Sequence, residues 1–206
     1  MANPGDKRRA TYQDVLDAPK HMVAEIIGGE LRLSPRPGVP ATSVASKLAG
    51  ELVPPFNNGR GGPGGWIIAF EPELHLGDEI VVPDLAGWRI ERLPMVPEGA
   101  FFTVTPDWIC EVVSPSSETT DRLEKMPLYA SKGVGHAWLV HPRRRSLEAF
   151  RLYDGKWLAI AIHIQNARAR IEPFDAIEID LTILWANVPL PTRVSEDPAE
   201  YGSYDP

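Results

Sequence analysis

A single cysteine, Cys110, in a chain of 206 residues leaves no intrachain disulfide and no cysteine-built zinc site. It sits in an apolar run and reads as a small buried filler rather than a reactive thiol. The five histidines, His21, His75, His136, His141 and His163, show no metal-ligand pairing of the His-Glu-x-x-His kind. Any metal would therefore be held by oxygen, which favours magnesium or manganese. No apolar run reaches the roughly 18 residues of a membrane span. Residues 1–9 are not followed by an apolar signal core, and the expected location is the cytoplasm. Positive charge is short as well: 21 Lys and Arg against 28 Asp and Glu leave a net charge of -7. That balance argues against broad electrostatic coating of DNA and leaves room only for a local basic groove. The glycine-rich residues 59–65 lack the Gly-Lys-Ser/Thr ending of a phosphate-binding loop and read as a connector.

Proline is what the chain has in excess, 21 residues, about double the usual ~5%. It implies short strands and stiff loops. The length favours one domain over residues 11–190, with residues 1–10 a disordered basic leader and 191–206 a loose acidic tail. Thr11 caps a short helix ending before Pro19. Two strands around Gly28-Gly29 form a tight hairpin. A helix capped by Thr42 or Ser43 runs to the prolines at 54 and 55. Strands follow at 66–70 and 74–76, then one from Ile80 to Trp88, a proline-punctuated loop, and a central strand from Trp108 to Val113. Thr120 opens a helix to Lys132, with Pro127 forcing either a kink or a start near Glu124, and Gly133 ends it. Strands at 136–140, 147–153 and 157–162 complete the sheet. This order fits an α/β fold with a mixed central β-sheet flanked by helices and an additional N-terminal hairpin.

Two acids stand where a buried strand is expected. Glu111 lies inside Ile109-Cys110-Glu111-Val112-Val113, and Asp84 closes Ile80-Val81-Val82-Pro83. Alternation puts Ile109, Glu111 and Val113 on one face, where Glu111 can meet Asp84 across neighbouring strands. With the Val112 carbonyl, two carboxylates and waters make a suitable magnesium shell, manganese being a possible substitute. Lys125, on the next helix, is the nearest cation that could orient an attacking water. The competing reading is a buried Glu111–Lys125 ion pair, with Asp84 merely ending its strand. Spacing alone leaves both open.

Val82-Pro83-Asp84 and Pro106-Asp107-Trp108-Ile109-Cys110-Glu111-Val112-Val113-Ser114 resemble the PD-(D/E)XK nuclease superfamily. More narrowly, they are similar to its bacterial restriction-endonuclease-like family, long catalogued as a domain of unknown function. The likeness continues through Asp121, Lys125, Tyr129, Gly133 and Trp138, and back to Glu25 through Glu30. It implies a restriction-endonuclease-like core and a metal-dependent endonuclease acting on nucleic acid, DNA first. Asp84, Glu111 and Lys125 are then the catalytic residues, with metal on Asp84, Glu111 and the Val112 carbonyl. The superfamily lysine two residues after the second acid is Val113 here. The resemblance moves that role to Lys125, whose long stem can reach the same point. Glu25 becomes an auxiliary acid, or else a hairpin surface charge. Tyr129 lines the cleft or is a core aromatic. Arg143-Arg144-Arg145 grips phosphate or is a solvated turn, and the six tryptophans are core or dimer contacts. A catalytically inactive member that binds nucleic acid or protein is the alternative. A glycosidase using Asp84 and Glu111 as acid and base leaves Lys125 without a role. Exposed sheet edges favour a homodimer.

Overall fold

Pro83 cannot donate to a β ladder, and around it the chain leaves one sheet for another. The computed structural model describes residues 8–189. In chain order, α1 (Tyr12–Leu16) precedes the hairpin of β1 (Met22–Ile27) and β2 (Glu30–Pro35). Then come α2 (Val39–Leu52), a π-helical turn (Val53–Asn57), β3 (Trp66–Phe70), β4 (Leu74–Leu76) and β5 (Glu79–Val81). After the proline lie β6 (Leu85–Arg89) and β7 (Trp108–Val112). One helical segment follows, made of α3 (Glu118–Thr120), a second π-helical turn (Asp121–Lys125) and α4 (Met126–Ser131). The chain closes with β8 (His136–His141), β9 (Ser146–Tyr153), β10 (Lys156–Ile164), β11 (Arg168–Ala169), β12 (Ile179–Asp180) and α5 (Thr182–Trp185).

The first sheet has four antiparallel strands in the order β2-β1-β5-β4, and the second has six in the order β10-β9-β8-β7-β6-β3. Among the described strands only β7 and β8 run parallel, because the helical segment carries the chain back to the starting edge. The expected single strand from Ile80 to Trp88 is thus two strands in different sheets, and the cause is Pro83 between them. The N-terminal hairpin turns through Gly28 and Gly29, both at positive φ, and is extended by β5 and β4 rather than standing alone.

Two apolar layers sandwich the large sheet. Val44, Leu48 and Leu52 of α2 pack on Trp108, Cys110 and Val112 together with Trp138 and Val140. The opposite face puts Ile109, Val113, Ala137 and Leu139 against Met126 and Tyr129 of α4 and residues of the small sheet. This division is the alternation expected of a strand buried on both faces. Trp66, Trp88, Trp108, Trp138 and Trp185 are all buried core. Large aromatics supply much of that apolar area, and Trp108 meets Trp138 edge to face at 5.2 Å.

Two helices differ from their expected bounds. α2 begins at Val39, after Gly38, with Pro40 in its first turn. Proline is well placed there because its missing N–H has no intrahelical acceptor. Pro127 likewise falls in the first turn of α4, just after the π-helical turn, so the helical segment passes it without a clash inside a regular helix. Gly133, at φ 78°, closes α4. The Gly133 N–H donates to Ala130 O and the Val134 N–H to Tyr129 O, both at 3.0 Å, which is the Schellman arrangement.

At the other end, the Ala10 N–H donates to Gly29 O at 2.8 Å and Arg8 pairs with Asp14. Residues 8–10 of the expected leader are therefore tied to the hairpin and α1. Residues 1–7 and the tail from 190 lie outside the described residues. No described helix is long and apolar enough to cross a membrane.

A Cβ at Gly133 meets nothing within 4 Å, so Gly133→Ala should cost only its backbone strain. The expected loss is about 1 kcal/mol, read as a lower urea midpoint with an unchanged slope.

Candidate active site

Strand parity and register set the first two residues. Glu111 points to the α4 side of β7, with Ile109 and Val113. Leu85 pairs with Cys110, so one further step along that antiparallel register puts Asp84 opposite Glu111. The Val113 N–H donates to Val140 O at 2.8 Å. Glu111 and Val113 therefore turn their amides toward β8, and Val112 turns toward β6. β6 begins only at Leu85, and the Asp84 carboxylate takes the place of a ladder acceptor: its Oδ2 accepts the Val112 N–H at 2.6 Å. The Val112 carbonyl points to the same edge.

Lys125 comes over from the helical segment. Its Nζ lies 2.8 Å from Glu111 Oε1 and 3.0 Å from Glu25 Oε1, and it donates to Val82 O at 3.2 Å. Glu25 Oε1 also accepts the Val82 N–H at 2.8 Å. Tyr129, four residues after Lys125 on the same helix face, donates its hydroxyl to Glu111 Oε1 at 2.7 Å. Val113 is buried and apolar, while the ammonium beside Glu111 belongs to Lys125.

The expected residues thus lie together, and of the two readings of Glu111 the buried ion pair with Lys125 is present. Glu25 is no surface charge, at 4% exposure. Tyr129 is a core aromatic whose hydroxyl reaches the acids. Asp121, absent from the expected set, is also buried, and its i, i+4 spacing from Lys125 was the signal available in the sequence. Of the three arginines at 143–145, Arg144 pairs with Glu118 at 3.1 Å and Arg145 donates to Val188 O at 3.3 Å. Only Arg143 lines the cleft over the acids.

Burial dominates the electrostatics. It pushes the half-buried Asp84 carboxyl up to about 6, against the pull of the Val112 N–H and Lys125. It raises Glu111 well above the ordinary carboxylate range, only partly opposed by Lys125, and raises Asp121 in the same way. For Lys125 burial works against the charged form, but Glu111 and Glu25 outweigh it and hold the ammonium protonated. Burial and the neighbouring Glu111 keep the Tyr129 phenol protonated. Arg122, next to Asp121, is turned away to Glu148 and His141. The cleft above has a volume of about 400 Å³ and is lined by Asp84, Glu111, Val112, Asp121 and Lys125 at its floor. No group of three or more His, Cys, Asp or Glu forms a ready cation cage among the described residues.

A mixed sheet with one acid on β7 and another just before β6, joined by a lysine from the crossover helix, is the arrangement of a restriction-endonuclease-like protein of the PD-(D/E)XK superfamily. The family model "Uma2: Putative restriction endonuclease" matches residues 10–184, and the chain belongs to that family, among nuclease-like proteins. It is similar in fold to the crystal structure of "a putative nuclease belonging to DUF820" from Anabaena variabilis, with a TM-score of 0.67 at 19% identity. That similarity covers 86% of this chain and 98% of the other. No curated protein matches the chain.

Two stability outcomes follow from the buried charges. Lys125→Met removes the cation from among acids, and breaking a buried pair in this way should cost about 3–5 kcal/mol near neutral pH. The loss should shrink as pH falls through about 6, where Asp84 takes up its proton. Asp84→Asn should stabilise the metal-free protein. The folded carboxyl, near 6, binds its proton more tightly than the ordinary 3.8, so the native state is penalised as pH rises from about 4 to 6. The advantage of Asn should be absent below that window and reach up to roughly 3 kcal/mol above it, read from denaturant melts across the pH series.

Proposed function

We propose that the protein is a metal-dependent endonuclease that hydrolyses phosphodiester bonds of DNA, with magnesium as cofactor and manganese a working substitute. The observation that carries this reading is one ammonium, Lys125, facing four carboxyls, Glu25, Asp84, Glu111 and Asp121, in a largely buried site. Uncompensated buried carboxylates cost several kcal/mol, and a divalent cation is the counter-charge that offsets them. Asp84, Glu111 and the Val112 carbonyl would hold it. Two carboxylates and one carbonyl leave positions for the waters that magnesium retains, which suits this donor set better than a closed cage. Bound there, the ion supplies a grip on phosphate oxygen and a water of lowered pKa.

The chain's own groups do the rest. Lys125 keeps its proton, so it orients the attacking water and offsets charge building on phosphorus rather than acting as a base. Tyr129 holds the Glu111 carboxylate in place. Glu25 anchors Lys125 and, through the Val82 N–H, the link that carries Asp84. Two copies acting together are supported by β10, an edge strand that leaves Ile162 at 65% and Ile164 at 63% exposure.

Magnesium-dependent cleavage of a panel of single-stranded, duplex and supercoiled DNA tests the reading. Asp84→Ala and Glu111→Ala should abolish cleavage, and Lys125→Met should lower it by roughly 10²-fold or more while titration calorimetry still detects magnesium. Full activity in Asp84→Ala sinks the assignment. Absence of metal binding at millimolar magnesium and manganese would instead favour a silent binding module on the same fold.

A further inference from the structure

The cleft over the acids is walled by two stretches of similar character. One is the run from β2 into α2, with Pro35, Pro37 and Pro40; the other comprises the segments after β7 and β8, with Pro115 and Pro142. Proline's fixed φ holds such walls in place before a ligand arrives. Among the described residues no aromatic side chain lines the cleft, so a base entering it meets rigid apolar rings rather than a specific partner.

Three arginines line the same cleft above Lys125. Arg32 is tied to Glu30 and Glu124, both at 2.8 Å. Arg36 is exposed and makes one long bond, 3.4 Å, to the Lys20 carbonyl. Arg143 is exposed too. Among the described residues neither Arg36 nor Arg143 has an acidic partner. The walls thus offer two guanidiniums without an acidic partner among the described residues, one from each stretch, over an acidic floor.

Size and burial then decide between strands. A volume of about 400 Å³ falls within the range of small-ligand pockets, roughly 300–1,000 Å³. Glu111, at 3% exposure, can be reached only by a phosphate that enters the cleft. Duplex recognition relies on a broad basic surface, which a chain of net charge -7 with two acid-unpaired arginines at the cleft does not offer. A single strand follows a narrow positive groove along one backbone, and with no aromatic platform among the described lining residues for base stacking the phosphate contacts carry the affinity here.

We infer that the cleft takes a single DNA strand, or an unpaired stretch of one, whose phosphates are held by Arg36 and Arg143 on either side of the acids, and that intact duplex is excluded. This substrate class rests on the nuclease reading for its chemistry, but the binding step is tested separately. Fluorescence polarisation with a labelled mixed-sequence DNA oligonucleotide, alone and annealed to its complement, is measured on Asp84→Asn protein with and without magnesium. The single strand should bind at least tenfold tighter than the duplex. Arg36→Gln and Arg143→Gln together should weaken it about tenfold and reduce the salt slope by about 1.4, roughly 0.7 for each phosphate no longer neutralised. Both positions are exposed, and unchanged thermal melting of the variants checks that folding is intact. Equal or tighter duplex binding, an unchanged salt slope, or no binding of either form overturns the inference. The expected binding pattern with no metal-dependent cleavage by the unsubstituted protein upholds strand recognition and removes the nuclease reading.

Discussion

Lys125 places an ammonium in the interior, where a charge is tolerated only if oxygens surround it. Those oxygens come from three separate parts of the fold: Glu25 on β1, the Val82 carbonyl on the link between sheets, and Glu111 on β7. One side chain therefore fixes the relation between the four-stranded sheet, the six-stranded sheet and the helical segment. The link is held on both polar groups of Val82, its N–H by Glu25 and its carbonyl by Lys125. Asp84 follows two residues later, so its position at the end of β7 depends on the same pair of bonds.

The acids exceed what Lys125 can neutralise. A core built only for stability would replace such a cluster with packed apolar residues at little cost or some gain. Retaining it means that part of the folding free energy is stored against these charges, and a cationic ligand would release it. The helical segment shows a parallel compromise. Its π-helical turn ends at Lys125, and such turns are less regular than α-helix and concentrate at functional positions. The turn that lets Pro127 start α4 also delivers Lys125 and Tyr129 to the same carboxylate.

Much of the fold was legible because it follows local rules. The Gly28-Gly29 hairpin, the capped α1, the Gly133 stop and the strands β8, β9 and β10 depend on a few neighbouring residues each, whereas β11, β12 and α5 are too short to carry a pattern of their own. α2 started early because a proline in a first turn reads, by composition, like the loop before it. The strand over Ile80 to Trp88 was a sharper miss. Pro83, which cannot donate to a ladder, was the local sign of a break, but the partners of the two halves, β1 and β4 for one and β3 and β7 for the other, depend on residues far away in the chain.

At the candidate site the division has the same origin. Residue types pointed to oxygen as the donor for any metal, strand alternation put Glu111 and Val113 on one face, and the apolar runs let Asp84 meet Glu111 across neighbouring strands. These follow from residue type and from the two-residue period of one strand, which no packing changes. That Glu25 is an interior acid, that Asp121 is buried with the cluster, and that the Lys125 ammonium reaches both Glu111 and Glu25 is visible only in the folded chain. Those facts depend on β1 pairing with β5 and on the helical segment folding back across β7, which brings together residues far apart in the chain. Their energetic reason is collective: buried charges must find one another, and which ones meet is settled when the sheets are brought together.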